Sequence, residues 1–171
     1  TLPSDLYILG TMNTADRSIA LLGLALRRRF TFLELTPTPS LLSTVAGVDL
    51  ACLLRSLNER VAALLDNDHQ IGHSYFMSLN ASAGVEDLEF VWYHRIIPLL
   101  QEYFYHDGER LRAVLGGKFV VKVEVSKSTA AALKDIYDAE SPRYEIAKLQ
   151  GNDLVSALKG LAGQTDLEVA D

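Results

Sequence analysis

The sequence predicts an α+β chain that is mainly helical, and three observations carry that expectation. Residues 1–35 read as strand, helix and strand. Residues 41–116 carry apolar side chains at helical spacing, and 117–171 open on an alternating strand before returning to helical spacing. Two prolines, Pro37 and Pro39, separate the first segment from the second, so 36–40 reads as a linker.

The elements follow in order. Leu6-Tyr7-Ile8-Leu9 is a continuous apolar run closed by Gly10, the pattern of a buried strand of parallel type. After the polar stretch Thr11 to Ser18, Ile19 to Leu26 suits a helix. Arg27, Arg28 and Arg29 close it, as the negative end of a helix dipole favours. Phe30 to Leu35 predicts a second strand. Two strands alone make no stable parallel sheet, and the chain begins on Thr1 rather than Met, so it reads as a piece of a longer protein.

Beyond the linker, Leu50, Leu53, Leu54, Leu57, Val61, Leu64 and Leu65 form one helical stripe. Leu88, Trp92, Ile96, Leu99, Leu100 and Tyr103 form another, with Pro98 either kinking that helix or starting a new one. Gly116-Gly117 ends the helical block. Phe119, Val121, Val123 and Val125 alternate with Lys122 and Glu124, which predicts a half-exposed strand. Helical patterns run from Thr129 to Tyr137 and again past Asn152, a plausible N-cap, with Leu154, Leu158 and Leu161 on one face.

Composition narrows the function classes. A hydrophobic content of 49% with 22% charged residues excludes wholesale disorder. No stretch of about 18 uncharged apolar residues supports a membrane-spanning helix, and no leader pattern suggests secretion. The single cysteine, Cys52, excludes an internal disulfide and a thiolate cluster, and the expected location is the cytoplasm. Sixteen basic against 22 acidic residues, a net charge of −6, argue against the whole chain sheathing nucleic acid.

Several patterns fail their chemical test. His69 and His73 are four apart but lack a glutamate between them and are interrupted by Gly72, so no metal is expected. Asp66-Asn67-Asp68 begins like a calcium loop, yet Met77 stands where its final carboxylate belongs. Ser74 and Ser78 have no nucleophile-elbow setting, and Cys52 on a leucine-rich helix reads as a small buried hydrophobe. Tyr103-Phe104-Tyr105 reads as core packing rather than a base-stacking platform.

The informative segment is Gly10 to Phe30. Asn13 directly follows an apolar run, which places an amide at the carboxyl end of a predicted strand, where α/β sheets bind ligands. Such an amide can hold a water without adding charge. Farther on, Arg27, Arg28 and Arg29 offer planar, permanently charged forks suited to phosphate oxygens. The plain alternative is a loop cap and a solvated basic helix end.

The run MNTADRS…ALRRRF resembles the sensor-1 and arginine-finger region of AAA+ NTPases, most of all the McrB-like subunits of modified-cytosine restriction systems. Ile71-Gly72-His73-Ser74-Tyr75-Phe76 and Ile97-Pro98-Leu99-Leu100-Gln101-Glu102-Tyr103-Phe104 resemble segments of the same family's helical lid. The resemblance spans about residues 5–106 and does not reach past Gly116. It implies a remnant of the AAA+ α/β core over 1–35, a helical lid over 41–116 and an unassigned extension over 117–171. By this likeness Asn13 is the sensor-1 residue that orients the attacking water. Arg28 and Arg29 match the arginine finger, which acts on nucleotide held by a neighbouring subunit. Asp16 and Arg17 belong to the NTADR signature and, with Arg27, either brace the loop or reach a subunit interface. Gly72, His73 and Ser74 fall where the lid approaches the nucleotide, or form a structural turn.

The departures are as informative. No G-x-x-x-x-G-K-[ST] occurs, and the acidic pair of a Walker B strand is missing, so this chain alone is expected to bind and hydrolyse no nucleotide. The parent is expected to use ATP or GTP with Mg2+, to assemble identical subunits into a ring, expected to be a hexamer, and to drive an endonuclease subunit on DNA. Two rivals remain: a motor that remodels protein assemblies, and a non-catalytic interaction module that keeps only the AAA+ scaffold.

Overall fold

A computed structural model describes residues 3, 5–12, 28–80, 82–126, 129 and 142–164. The chain is a mainly helical α+β protein and divides into two units, 1–35 and 36–171. In the first unit, neither expected strand forms: 6–10 and 31–35 make no ladder. Tyr7 and Leu9 are about as exposed as they can be, at 96% and 95%. A strand exists only against a partner that takes its N–H and C=O groups, and no described segment offers one here. The predicted helix at 19–26 lies outside the described residues.

In the second unit, a one-turn helix at Pro39–Leu41 leads into a hairpin of β1, Thr44–Val45, and β2, Val48–Asp49. Ala46 and Gly47, both with positive φ, make its tight turn. Helix α1, Leu50–Leu64, follows, capped by Asp49, whose carboxylate accepts from the Cys52 N–H at 2.9 Å. Its stripe is buried as its spacing requires: Leu50, Leu53, Leu54, Leu57 and Val61 are sealed in the core, with Leu64 and Leu65 at its edge. Cys52 departs from expectation. It is half-buried, and its Sγ lies 3.1 Å from an Asp49 carboxylate oxygen and 3.2 Å from an Arg55 guanidinium nitrogen, so it serves the polar cap rather than the core.

The second stripe runs through α2, Val85–Val91, a wide turn at Trp92–Ile96, and α3, Ile97–Tyr103. Pro98, in the first turn of α3, has no N–H to continue the i→i+4 ladder. The wide turn, in which the Ile97 N–H reaches back to the Trp92 carbonyl, absorbs that break without stopping the helix. Leu88, Trp92, Ile96 and Leu100 are buried along its length. Phe104 is buried, Tyr103 half-buried, and Tyr105 is exposed against His106.

Helix α4, Gly108–Leu115, is capped by Asp107 and ends at Gly116, whose φ of +84° and ψ of 160° suit only glycine. Gly108 is required for a different reason: a Cβ there would collide with the Tyr144 ring. Strand β3, Val120–Val123, pairs antiparallel with β4, Arg143–Ile146, which the sequence reading missed. The expected face is also corrected. Phe119 precedes the strand in a turn, so Phe119 and Val120 are both buried while Val121 is exposed. Past Thr129, the predicted helix to Tyr137 lies outside the described residues.

Helix α5, Gly151–Leu161, buries Leu154, Ala157, Leu158 and Leu161 in the same core as α1 and α2. Its flanking residue is Gln150, not Asn152, and no side chain caps it. Instead the Leu149 N–H, just upstream, donates to the Tyr93 hydroxyl at 2.6 Å. Farther on, the Gln164 side-chain carbonyl accepts from the Asp49 N–H at 3.0 Å, tying the start of α1 to the chain just past α5.

Candidate functional site

The lid residues singled out by sequence, Gly72, His73 and Ser74, lie together on one short turn whose helical part is His73–Tyr75. The chain is pinned on both sides of it. Upstream, Ile71 is wholly buried and held by Asn58 of α1, whose amide nitrogen donates to the Ile71 carbonyl at 3.0 Å. The Asn58 amide oxygen accepts from the Ile71 N–H at 2.7 Å. Downstream, Phe76 is wholly buried, and its N–H closes the turn on the His73 carbonyl at 3.0 Å. A buried polar side chain that satisfies both groups of one peptide residue fixes position, not merely contact.

Sequence reasoning missed Asn58. Its signal was legible: it stands on the apolar face of α1 between Leu57 and Val61, where a polar group demands a partner.

The two histidines are committed elsewhere. His69 Nδ1 lies 2.6 Å from an Asp66 carboxylate oxygen, and that hydrogen bond holds the Asp66 carboxyl below its usual range. The His69 ring also stands edge-on to Tyr103, whose phenol burial pushes up. His73 Nδ1 instead accepts the Thr38 N–H at 3.1 Å. Among the described residues, no group of His, Cys, Asp and Glu side chains could hold a metal ion.

An open cleft of about 480 Å³ is lined by Pro37 and Pro39, by Arg55, Asn58 and Glu59 of α1, and by Asn67 and Gln70. It offers a guanidinium, a carboxylate and side-chain amides within one surface. In the first unit, Arg28 and Arg29 lie adjacent and exposed in a turn before Phe30. Asn13, Asp16, Arg17 and Arg27 lie outside the described residues. No helix of the described residues is long and apolar enough to cross a membrane.

Comparison with known proteins bears on the second unit most directly. Residues 49–112 match the family "McrB, alpha-helical lid domain". The chain is 39% identical, over 127 residues, to the type IV methyl-directed restriction enzyme EcoKMcrB subunit of Escherichia coli strain K12. That match takes in 61% of this chain and 27% of the relative, so the chain spans about a quarter of the relative's length. The matched segment starts on the residue that caps α1 and contains both the Asn58 clamp and the turn it holds. Residues 49–112 are thus similar to the McrB α-helical lid, and the chain is McrB-like over the part that the relative matches.

Proposed function

We propose that this chain is the carboxyl-terminal part of an AAA+ nucleoside triphosphatase that drives a modification-dependent restriction system. The observation that carries the reading is the match of 49–112 to the McrB lid family, joined in sequence to an upstream segment whose exposed Arg28 and Arg29 suit phosphate oxygens. In this reading the substrate is ATP or GTP with Mg2+, and identical subunits form a ring, a hexamer. The phosphate cradle belongs to a part of the parent beyond these residues, since no P-loop occurs among them. Asn13 orients the attacking water. Arg28 and Arg29 offset charge on the phosphoryl group held by the neighbouring subunit. Asp16, Arg17 and Arg27 serve the loop and the subunit boundary. Gly72, His73 and Ser74 form the lid's face toward the nucleotide. An endonuclease subunit and DNA complete the assembly, which works in the cytoplasm.

The test uses the parent protein. Arg28→Ala/Arg29→Ala should lower phosphate release from GTP or ATP by about 10³- to 10⁵-fold while each subunit still binds nucleotide. Mixing it with a variant lacking the P-loop lysine should restore part of the activity, because an intact cradle then meets an intact finger. Near-normal hydrolysis in the double variant would sink the assignment, as would a dead variant that no mixing ratio rescues. Cleavage of methylated but not unmodified DNA by the complete assembly tests the restriction role.

A further inference from the structure

Thr38 is flanked by Pro37 and Pro39, which have no N–H and a restricted φ. Its N–H is therefore the sole backbone donor across those three residues, and it points at His73 Nδ1, 3.1 Å away. For Nδ1 to accept, the ring must be neutral with its proton on Nε2. His73 is itself held firmly, because its turn lies between the clamped Ile71 and the buried Phe76. Downstream of Thr38 the backbone closes at once. The Leu41 N–H reaches the Thr38 carbonyl at 3.2 Å, the Leu42 N–H reaches Pro39 at 2.9 Å, and this turn packs on α1.

We propose that His73 is a positioning residue for the linker, which it latches to the lid through its Nδ1. From Thr38 onward the linker then moves as part of the second unit. Pro37 and Pro39 sharpen the latch, since they leave a single N–H to be caught and few backbone states for it to escape into. This goes beyond the hydrolase reading and does not depend on it, because every group involved lies between Thr36 and Phe76.

The experiment uses the 171-residue chain labelled with ¹⁵N. A through-hydrogen-bond coupling should link the Thr38 nitrogen to His73 Nδ1, with the ring in its Nε2–H form. His73→Asn places a carbonyl oxygen at the same bond position as Nδ1 and should keep the latch. His73→Gln carries its oxygen one bond farther, at the position of Nε2, and should lose it, as should His73→Ala. Thr38 amide exchange should be about three- to tenfold faster in the Gln and Ala variants than in wild type or Asn. Amides of Leu57 and Leu100 report whether the lid stays folded. If Ala loosens them, the Asn and Gln variants and the wild-type coupling still decide. A ring protonated on Nδ1, or equal Thr38 exchange in the Asn and Gln variants, would overturn the proposal.

Discussion

The segments flanking the first unit's arginines and the helices of the second unit are both rich in leucine and aromatic residues, and they end in opposite environments. Leu33 and Leu35 are 83% and 93% exposed, whereas Leu50, Leu54 and Leu57 are sealed. The second unit carries its own covering layers: α4 and α5 both close on α1. The described part of the first unit has strand-like sequence and no strand beside it. Apolar pattern is a demand for burial, and only the surrounding chain decides whether the demand is met.

Substitutions can break or sharpen that contrast. Leu54→Ala should lower stability by about 2–5 kcal/mol, because it opens a cavity in a closed core. Leu33→Ala should move it by less than about 0.5 kcal/mol. Urea unfolding followed by far-ultraviolet circular dichroism and by Trp92, the only tryptophan, measures both. Similar losses at the two positions would erase the distinction between the units.

Asn58→Ala comes next, at about 2–4 kcal/mol, since the N–H and C=O of Ile71 lose their partners together. Asn58→Leu sharpens the point. It adds apolar surface to an apolar face and should still destabilise, whereas a gain in the urea midpoint would show that Ile71 needs no clamp.

The smallest effect concerns acid. Asp49 is held below its unfolded value of 3.8, first by the Cys52 N–H and then by the Cys52 side chain. A carboxyl with a depressed folded value stabilises fully above its unfolded value and loses that contribution as pH falls through the folded one. Asp49→Asn keeps a good cap. Its stability at pH 7 should stay within about 0.5 kcal/mol of wild type. Below pH 3.8 its decline should be shallower than that of wild type. Identical acid slopes would remove Asp49 from the account.

Legibility in the sequence follows the range of the interactions. The stripes of α1 and of the α2–α3 run were readable because i, i+3, i+4 spacing is local and the core accepted it unchanged. The face of β3 was misjudged because strict alternation assumes the strand starts at Phe119, whereas Gly116 and Gly117 put that residue in a turn. β4 was missed because its four residues, Arg143–Ile146, carry two charges and gain their order from β3. In the candidate site, the turn at Gly72 to Ser74 was legible as a motif. Its anchoring by Asn58 and the catch between His73 and Thr38 were not, since each joins residues far apart in sequence.

The closing of α5 on α1 also sets an order of events on the ribosome. The leucines of α1 are made well ahead of their cover, which is complete only after Leu161, roughly a hundred residues later. At about 5–20 residues per second, that apolar face stands open for about 5–20 s of synthesis. Through that interval the nascent chain is open to neighbours and chaperones, and α5 is the helix that ends its exposure.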